Sequence, residues 1–194
     1  MNPPLFDPWV GPDYGKTSLG RLLLLGESHY FYHTEPDYAS FTKRMIEGLG
    51  TTEDNNFYIK VGQIFDPADY RTVWPKIAFG NAIQFPFRVA RQAVTREHLN
   101  TVEPAVRAYL ELTKPTRMIV FSSRVWHRGL SQTWGRPIKT LQDGTFGRRA
   151  TVWEFDYPVG SCHGIGVHHP SSSRPPFLPE EWRPIINQFL EERV

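Results

Sequence analysis

The sequence predicts an α/β fold: a three-layer α/β/α sandwich around a central, mainly parallel, four-stranded sheet, formed by a single domain over residues 1–194. Three observations carry this. Arg21 to Gly26 (RLLLLG) is apolar without alternation, the pattern of a strand buried on both faces and therefore covered by helices. Met118-Ile119-Val120-Phe121 repeats that pattern, and apolar runs alternate with segments of helical spacing, the order expected of βα units. A chain of 194 residues fills one core and is too short for two comfortable domains.

The elements follow in order. Residues 1–20, with Pro3, Pro4, Pro8, Gly11, Pro12 and Gly15, read as an irregular lead-in to the strand at 21–26. Residues 37–49 place Phe41, Met45 and Leu49 at helical spacing with Gly50 as the stop, and a second helix is predicted over about 54–65. Ile77 to Ile83 is a second central strand. Thr95 opens a helix running to Leu112 and closed by Lys114-Pro115. The third buried strand, Met118 to Phe121, enters a short helix at about 123–131. Residues 133–150 read as turn-rich and basic, Thr151 to Asp156 alternate as a strand, and Val167 precedes a polar loop over 168–176. The last element is an amphipathic helix from about Pro179 to Glu192, with Trp182, Ile185, Ile186, Phe189 and Leu190 facing inward.

Composition narrows the function. Cys162 is the only cysteine, so an internal disulfide, a Cys-ligated cluster and a structural Cys-zinc site are excluded, and a reducing cytoplasmic location is expected. The longest aliphatic run, Leu22 to Leu25, is far below the ~18 residues needed to span a bilayer, so no membrane partner is expected. Net charge is only +2, but residues 81–150 carry twelve Lys/Arg against four Asp/Glu, while both flanking segments are acidic. A basic segment of that kind supplies a phosphate-facing surface, because each cation near a phosphate releases condensed counterions. Arg148 and Arg149 are its adjacent pair and candidate DNA contacts; a solvated basic face without a ligand is the alternative.

In open parallel sheets the polar residues just past the carboxyl ends of the strands line the ligand crevice. That rule selects Glu27 to Tyr32, Gly80 to Gln84, and His168 to Arg174. In these clusters Gly26-Glu27-Ser28-His29-Tyr30 follows a buried strand, Asn81 follows a second, and His169-Pro170-Ser171 follows the last. In order and approximate spacing the chain resembles the uracil-DNA glycosylase superfamily, over about residues 21 to 190 and including the Lys114-Pro115 break before the strand at Met118. The resemblance implies a monomeric enzyme that flips a base out of DNA and hydrolyses its N-glycosidic bond, leaving an abasic site, with no metal and no organic cofactor. Such chemistry builds positive charge on the sugar and negative charge on the departing base. It calls for a carboxylate, an aromatic platform, an amide that reads the base edge and an imidazole donor.

Residue by residue, the resemblance gives Glu27 the water-positioning or cation-stabilising role; pairing with an arginine or capping a helix is its structural alternative. Ser28 is the catalytic candidate beside it, at a position where other members carry Asp or Asn. His29 stands where most members have Pro, and Tyr30 matches a Tyr that in some members blocks the thymine methyl group; blocking, swinging aside and plain packing all stay open for it. Phe41 resembles the ring that stacks on the flipped base. Asn81 carries donor and acceptor on one planar amide, suited to a pyrimidine edge, with Gln84 as a second reader. His169 would donate to the base oxygen, or His168 in a shifted register, and Ser171 would hold a phosphate. Where members commonly carry a Leu that plugs the vacated stack, this chain has Ser172-Ser173-Arg174, so Arg174 either fills the gap or binds a phosphate. Uracil is the default base. The absent Asp, the Ser28-His29 pair and the missing Leu raise a damaged or hypermodified pyrimidine as the second, with anti-phage defence beside DNA repair as the role.

Three rivals stand against this reading. Gly26-Glu27-Ser28 resembles the Gly-Asp-Ser block of SGNH-type Ser-His esterases, but Ile165 and Gly166 occupy the positions three before His168 and His169 where such enzymes place an Asp. A member of the fold that binds DNA without catalysis is the second. Metal catalysis by His163, His168 and His169 is the third, and adjacent histidines on an extended segment point to opposite sides.

Overall fold

A computed structural model describes residues 4–31, 37–51, 55–89, 92–131, 133–172 and 176–192. Four parallel strands form the centre: β2 (Leu22–Gly26), β3 (Ala78–Asn81), β4 (Arg117–Phe121) and β7 (Gly160–Val167). They lie in one mixed seven-stranded sheet with β1 (Trp9–Val10), β5 (Arg136–Gln142) and β6 (Arg149–Tyr157), in the order β1-β3-β2-β4-β7-β6-β5. The expectation of four strands is therefore corrected to seven. β1 pairs antiparallel with β3, and β5, β6 and β7 form an antiparallel meander.

Two of the three antiparallel additions had reasons to stay hidden. β1 is two residues long and lies inside the proline-rich lead-in. β5 buries only Leu141 and carries Arg136, Pro137 and Lys139, the charged and proline-bearing composition by which edge strands avoid pairing with other chains. Thr151 to Asp156 is a strand as expected, but within antiparallel β6.

Helices cover both faces. α1 (Phe41–Glu47), α2 (Asn56–Phe65) and α6 (Pro179–Glu191) lie on one side, where Leu22 and Leu24 join Tyr58, Val61 and Ile64 of α2 and Trp182, Ile185 and Ile186 of α6. On the other side Leu23 and Leu25 meet Val106, Tyr109 and Leu110 of α4 (Val102–Thr113) and Trp126 and Leu130 of the turn after β4. This is why RLLLLG is apolar at every position. Each of the four leucines is fully buried and contributes on the order of 1.5–3 kcal/mol.

The helix expected over 95–112 is two pieces, α3 (Arg96–Asn100) and α4, meeting at Thr101. Thr95 opens α3 with a capping box in which its hydroxyl accepts from His98 N while His98 Nδ1 accepts from Thr95 N. After β4, α5 (Ser123–Val125) continues into a π-helical turn over Trp126–Leu130. Trp126 seats against β7 at Gly166, where a β-carbon would lie 2.2 Å from its indole Cγ. α1 starts later than expected because Asp37 accepts from Ser40 N and turns the chain first.

Candidate functional site

The chain leaves β2 for β3 on one side and then crosses back over to β4 on the other, so β2 is where the direction of winding reverses. At such a switch point the carboxyl ends of the strands open a crevice. Glu27 follows β2, Asn81 ends β3, Ser122 and Arg124 follow β4, and His169 follows β7.

Glu27 is 4% exposed, and its carboxylate is gripped from β4's side of the sheet. Arg124 donates Nη2 to Oε1 at 2.7 Å and Nε to Oε2 at 3.3 Å, and Ser122 Oγ donates to Oε2 at 2.7 Å. Asn81 is just as buried. Its carbonyl accepts from Gln84 Nε2 and from the Tyr109 hydroxyl, while its side-chain amide has no hydrogen-bond partner among the described residues. Gly26 makes room for that amide: a β-carbon there would stand 2.3 Å from Asn81 Oδ1 and 3.2 Å from the Phe57 ring.

Phe57, in the first turn of α2, is the aromatic ring of this crevice. It touches Phe79 and Phe121 beneath it, and its centroid is 5.4 Å from that of His169. Asn55 fixes it there by capping α2 through Phe57 N and Tyr58 N. Lys60, one turn on, donates to Pro170 O at 3.2 Å, so α2 also holds the loop that carries His169.

His169 accepts from Ser171 N through Nδ1 at 3.1 Å. A neutral ring with an accepting Nδ1 has its proton on Nε2. Burial lowers its pKa; nearby Glu27 raises it and Arg124 lowers it again. The imidazole is thus a neutral Nε2–H donor at pH 7, within the electrostatic reach of Glu27. His168 has its ring against Trp182, with a pKa lowered by burial and by Arg148 and His127, and lies to the side of the crevice.

The other candidates have structural partners. Ser28 Oγ donates to Phe85 O at 2.8 Å rather than to a histidine. His29 is buried among Phe6, Phe31 and Phe41, with Nε2 2.9 Å from Thr42 Oγ1, and burial pushes its pKa down to about 3. Phe41 belongs to that same aromatic cluster, under Arg44. Tyr30 packs on Phe87. Gln84 spends its amide internally, donating to Asn81 O and to the Tyr109 hydroxyl and accepting from Phe6 N. Ser171 is exposed, and Arg174 lies outside the described residues.

The basic segment is partly neutralised in three dimensions. Arg124, Arg136, Lys139 and Arg148 pair with Glu27, Glu154, Glu192 and Glu181, all from the acidic flanking segments. Arg148 also lies 5.1 Å over the Trp182 ring, whereas Arg149 is exposed. Arg88, Arg96, Arg128 and Arg149 are exposed and follow the carboxyl end of β3, follow that of β4 or, in antiparallel β6, lie level with that of β7, on the crevice side. His163 lies beside Glu154 in the middle of β7, four residues before the strand's carboxyl end that His168 and His169 follow, and among the described residues no group of three His, Cys, Asp or Glu side chains could hold a metal ion. No described helix is long and apolar enough to cross a membrane.

Ser122, Arg124 and Phe57 were not singled out from the sequence. The carboxyl-end rule that selected the other clusters also covers Ser122-Ser123-Arg124 after the third parallel strand, and Phe57 stands two residues after the Asn55 cap. No protein-family model matches the chain, and a comparison with curated proteins finds no match.

Proposed function

We propose that the protein is a DNA glycosylase that flips a base into this crevice and hydrolyses its N-glycosidic bond without metal or organic cofactor. The observation that carries the reading is the convergence of a buried carboxylate, a buried amide without a partner among the described residues and a neutral Nε2–H imidazole around one aromatic ring, at the sheet's switch point. Phe57, rather than Phe41, is then the platform for the flipped base. Asn81 reads its edge with donor and acceptor together.

As the C1′–N bond breaks, its electron pair leaves with the base and the sugar becomes cationic. His169 Nε2–H donates to the base oxygen where the negative charge gathers, and Glu27 faces the cation and orients the water whose oxygen bonds to C1′. The water's proton passes to solvent and the base anion is protonated on release. Uracil or a damaged or hypermodified pyrimidine is the substrate class, in repair or in anti-phage defence. The test is incubation of the purified protein with genomic DNAs carrying uracil and different modified pyrimidines, followed by alkali to cleave at abasic sites. Strand breaks confined to one of these DNAs name the base; intact strands in all of them would end the proposal.

A further inference from the structure

We propose that Arg124 is a positioning residue for Glu27: with Ser122 it fixes the carboxylate so that a single acceptor direction, on Oε1, is left for the water or the sugar. An ionised carboxylate offers about four lone-pair directions. Two donors, Ser122 Oγ and Arg124 Nε, occupy Oε2, and one, Arg124 Nη2, occupies Oε1. The planar guanidinium spans both oxygens, a geometry that a lysine ammonium cannot reproduce.

The clamp is rigid at its base. Ser122 is buried and accepts from Val125 N at 3.2 Å as the cap of α5, so its hydroxyl is oriented by the helix it starts. Glu27 extends from β2 and Arg124 from the segment after β4, and these strands are hydrogen-bonded neighbours, so strand pairing holds the two groups in register. Arg124 keeps 45% of its side chain exposed while Glu27 keeps 4%. The arginine thus reaches its partner from the solvent side of the crevice and closes that side of the carboxylate.

The activity half of this inference rests on the base-excision reading; the stability half does not. Two measurements on the full-length protein keep them apart. In urea unfolding, Glu27→Gln, Arg124→Ala and the double variant form a cycle, and the clamp requires non-additivity: Glu27→Gln shifts the midpoint less when Arg124 is already alanine. In single-turnover excision under saturating DNA, Arg124→Ala should lower the rate constant at least about tenfold with DNA Kd changed less than about threefold, and millimolar guanidinium should restore part of the rate. Arg124→Lys should recover less than guanidinium rescue would suggest for charge alone, because it restores the charge without the fork. Additive unfolding midpoints overturn the clamp. So does an Arg124→Ala variant with a normal saturated rate and weakened DNA affinity, which would make Arg124 a phosphate contact. If the wild type excises no base and the cycle is non-additive, the clamp stands and the glycosylase reading falls.

Discussion

Two histidines, a buried one after β2 and a half-buried one after β7, are both pushed toward the neutral form, yet only the second keeps its Nε2 without a partner among the described residues. His29 has aromatic rings on three sides and its Nε2 on Thr42, so its environment is complete without a ligand. His169 has Nδ1 satisfied by its own loop, one ring face toward Phe57, and Nε2–H without a partner among the described residues. The difference teaches that a depressed pKa reports burial, whereas an unsatisfied donor marks the ring still open to a ligand. The neighbouring amides divide in the same way: Gln84 has both ends bonded internally, and Asn81 has neither end bonded among the described residues.

The sharpest way to break this comparison is to substitute both histidines. His169→Ala, and Glu27→Gln beside it, should reduce single-turnover excision at least ~100-fold, the size expected when one preorganised electrostatic contact is lost. His29→Gln should leave the rate near normal while lowering stability by about 1–3 kcal/mol in urea unfolding, through lost ring packing inside a full cluster. The reverse pattern, activity lost with His29 and stability lost with His169, would move the site to the aromatic cluster and restore Phe41 and His29 as base contacts.

A pH experiment sharpens the same contrast. His29 has a native pKa of about 3 against 6.5 for an unperturbed imidazole. The unfolded chain therefore binds its proton first, so the stability from neutral His29 is fully present above pH 6.5 and is lost as pH falls from 6.5 toward 3. Between pH 7 and pH 5 this amounts to about 2 kcal/mol. Urea midpoints of the wild type should fall over that interval, and those of His29→Gln should fall much less. His169 is shifted in the same direction, so excision, which needs its neutral Nε2–H, should hold its rate from pH 7 to pH 6.5. A rate that falls by about a third across that half unit would mean that His169 titrates like a free imidazole.

How much of this was legible differs between the two ends of the sheet. Three of the four parallel strands, β2, β3 and β4, were readable because burial on both faces forces runs such as Leu22–Leu25 and Met118–Phe121 to be apolar, whereas β7, with Gly160, Gly164 and Gly166 among its eight residues, has no such run. β5 was not, since an edge strand with one buried side chain has no hydrophobic period. In the candidate site, Glu27, Asn81 and His169 were selected from their places after strands. Their chemistry was completed by partners that spacing does not reveal: Arg124 is 97 residues from Glu27 and meets it only because β2 and β4 are neighbours. Phe41 and Phe57 are both aromatics at the start of a helix, and only the packing of α1 against His29 and of α2 against His169 separates them.

Next in size is the contrast between the two amides. Asn81→Ala should weaken selection of the correct base about tenfold in competition between DNAs, since it removes one donor and one acceptor from a flipped base, with little change in unfolding. Gly26→Ala should give a similar loss by another route, its β-carbon driving Asn81 Oδ1 out of position. Gln84→Ala should behave oppositely, loosening the contact between Phe6 and β3 while leaving discrimination closer to normal once folded. Equal loss of discrimination in Asn81→Ala and Gln84→Ala would show that the free amide is no more a reader than the bonded one.

The smallest effects separate the paired cations from the exposed ones. Arg148 is tied to Glu181 and stacked over Trp182, so Arg148→Gln should act on the packing of α6 against β6 and appear in unfolding. Arg149, one residue away, is exposed, and with Arg88 and Arg128 it lies on the crevice side of the sheet. A cation that neutralises one phosphate contributes ~0.9 to the slope of log K against log salt on duplex DNA. Arg149→Gln should therefore flatten that slope by somewhat less than ~0.9 and weaken binding a few-fold at low salt, without moving the unfolding midpoint. Arg88→Gln and Arg128→Gln should add to it, because exposed and separated cations act independently. Lys114→Gln is the internal control: it is equally exposed but lies before β4, at the opposite edge of the sheet, and should leave the slope unchanged. A slope that responds to Lys114 as strongly as to Arg149 would mean that the protein meets DNA through diffuse charge. Phosphates would then not be gathered at the crevice where Glu27 and His169 converge.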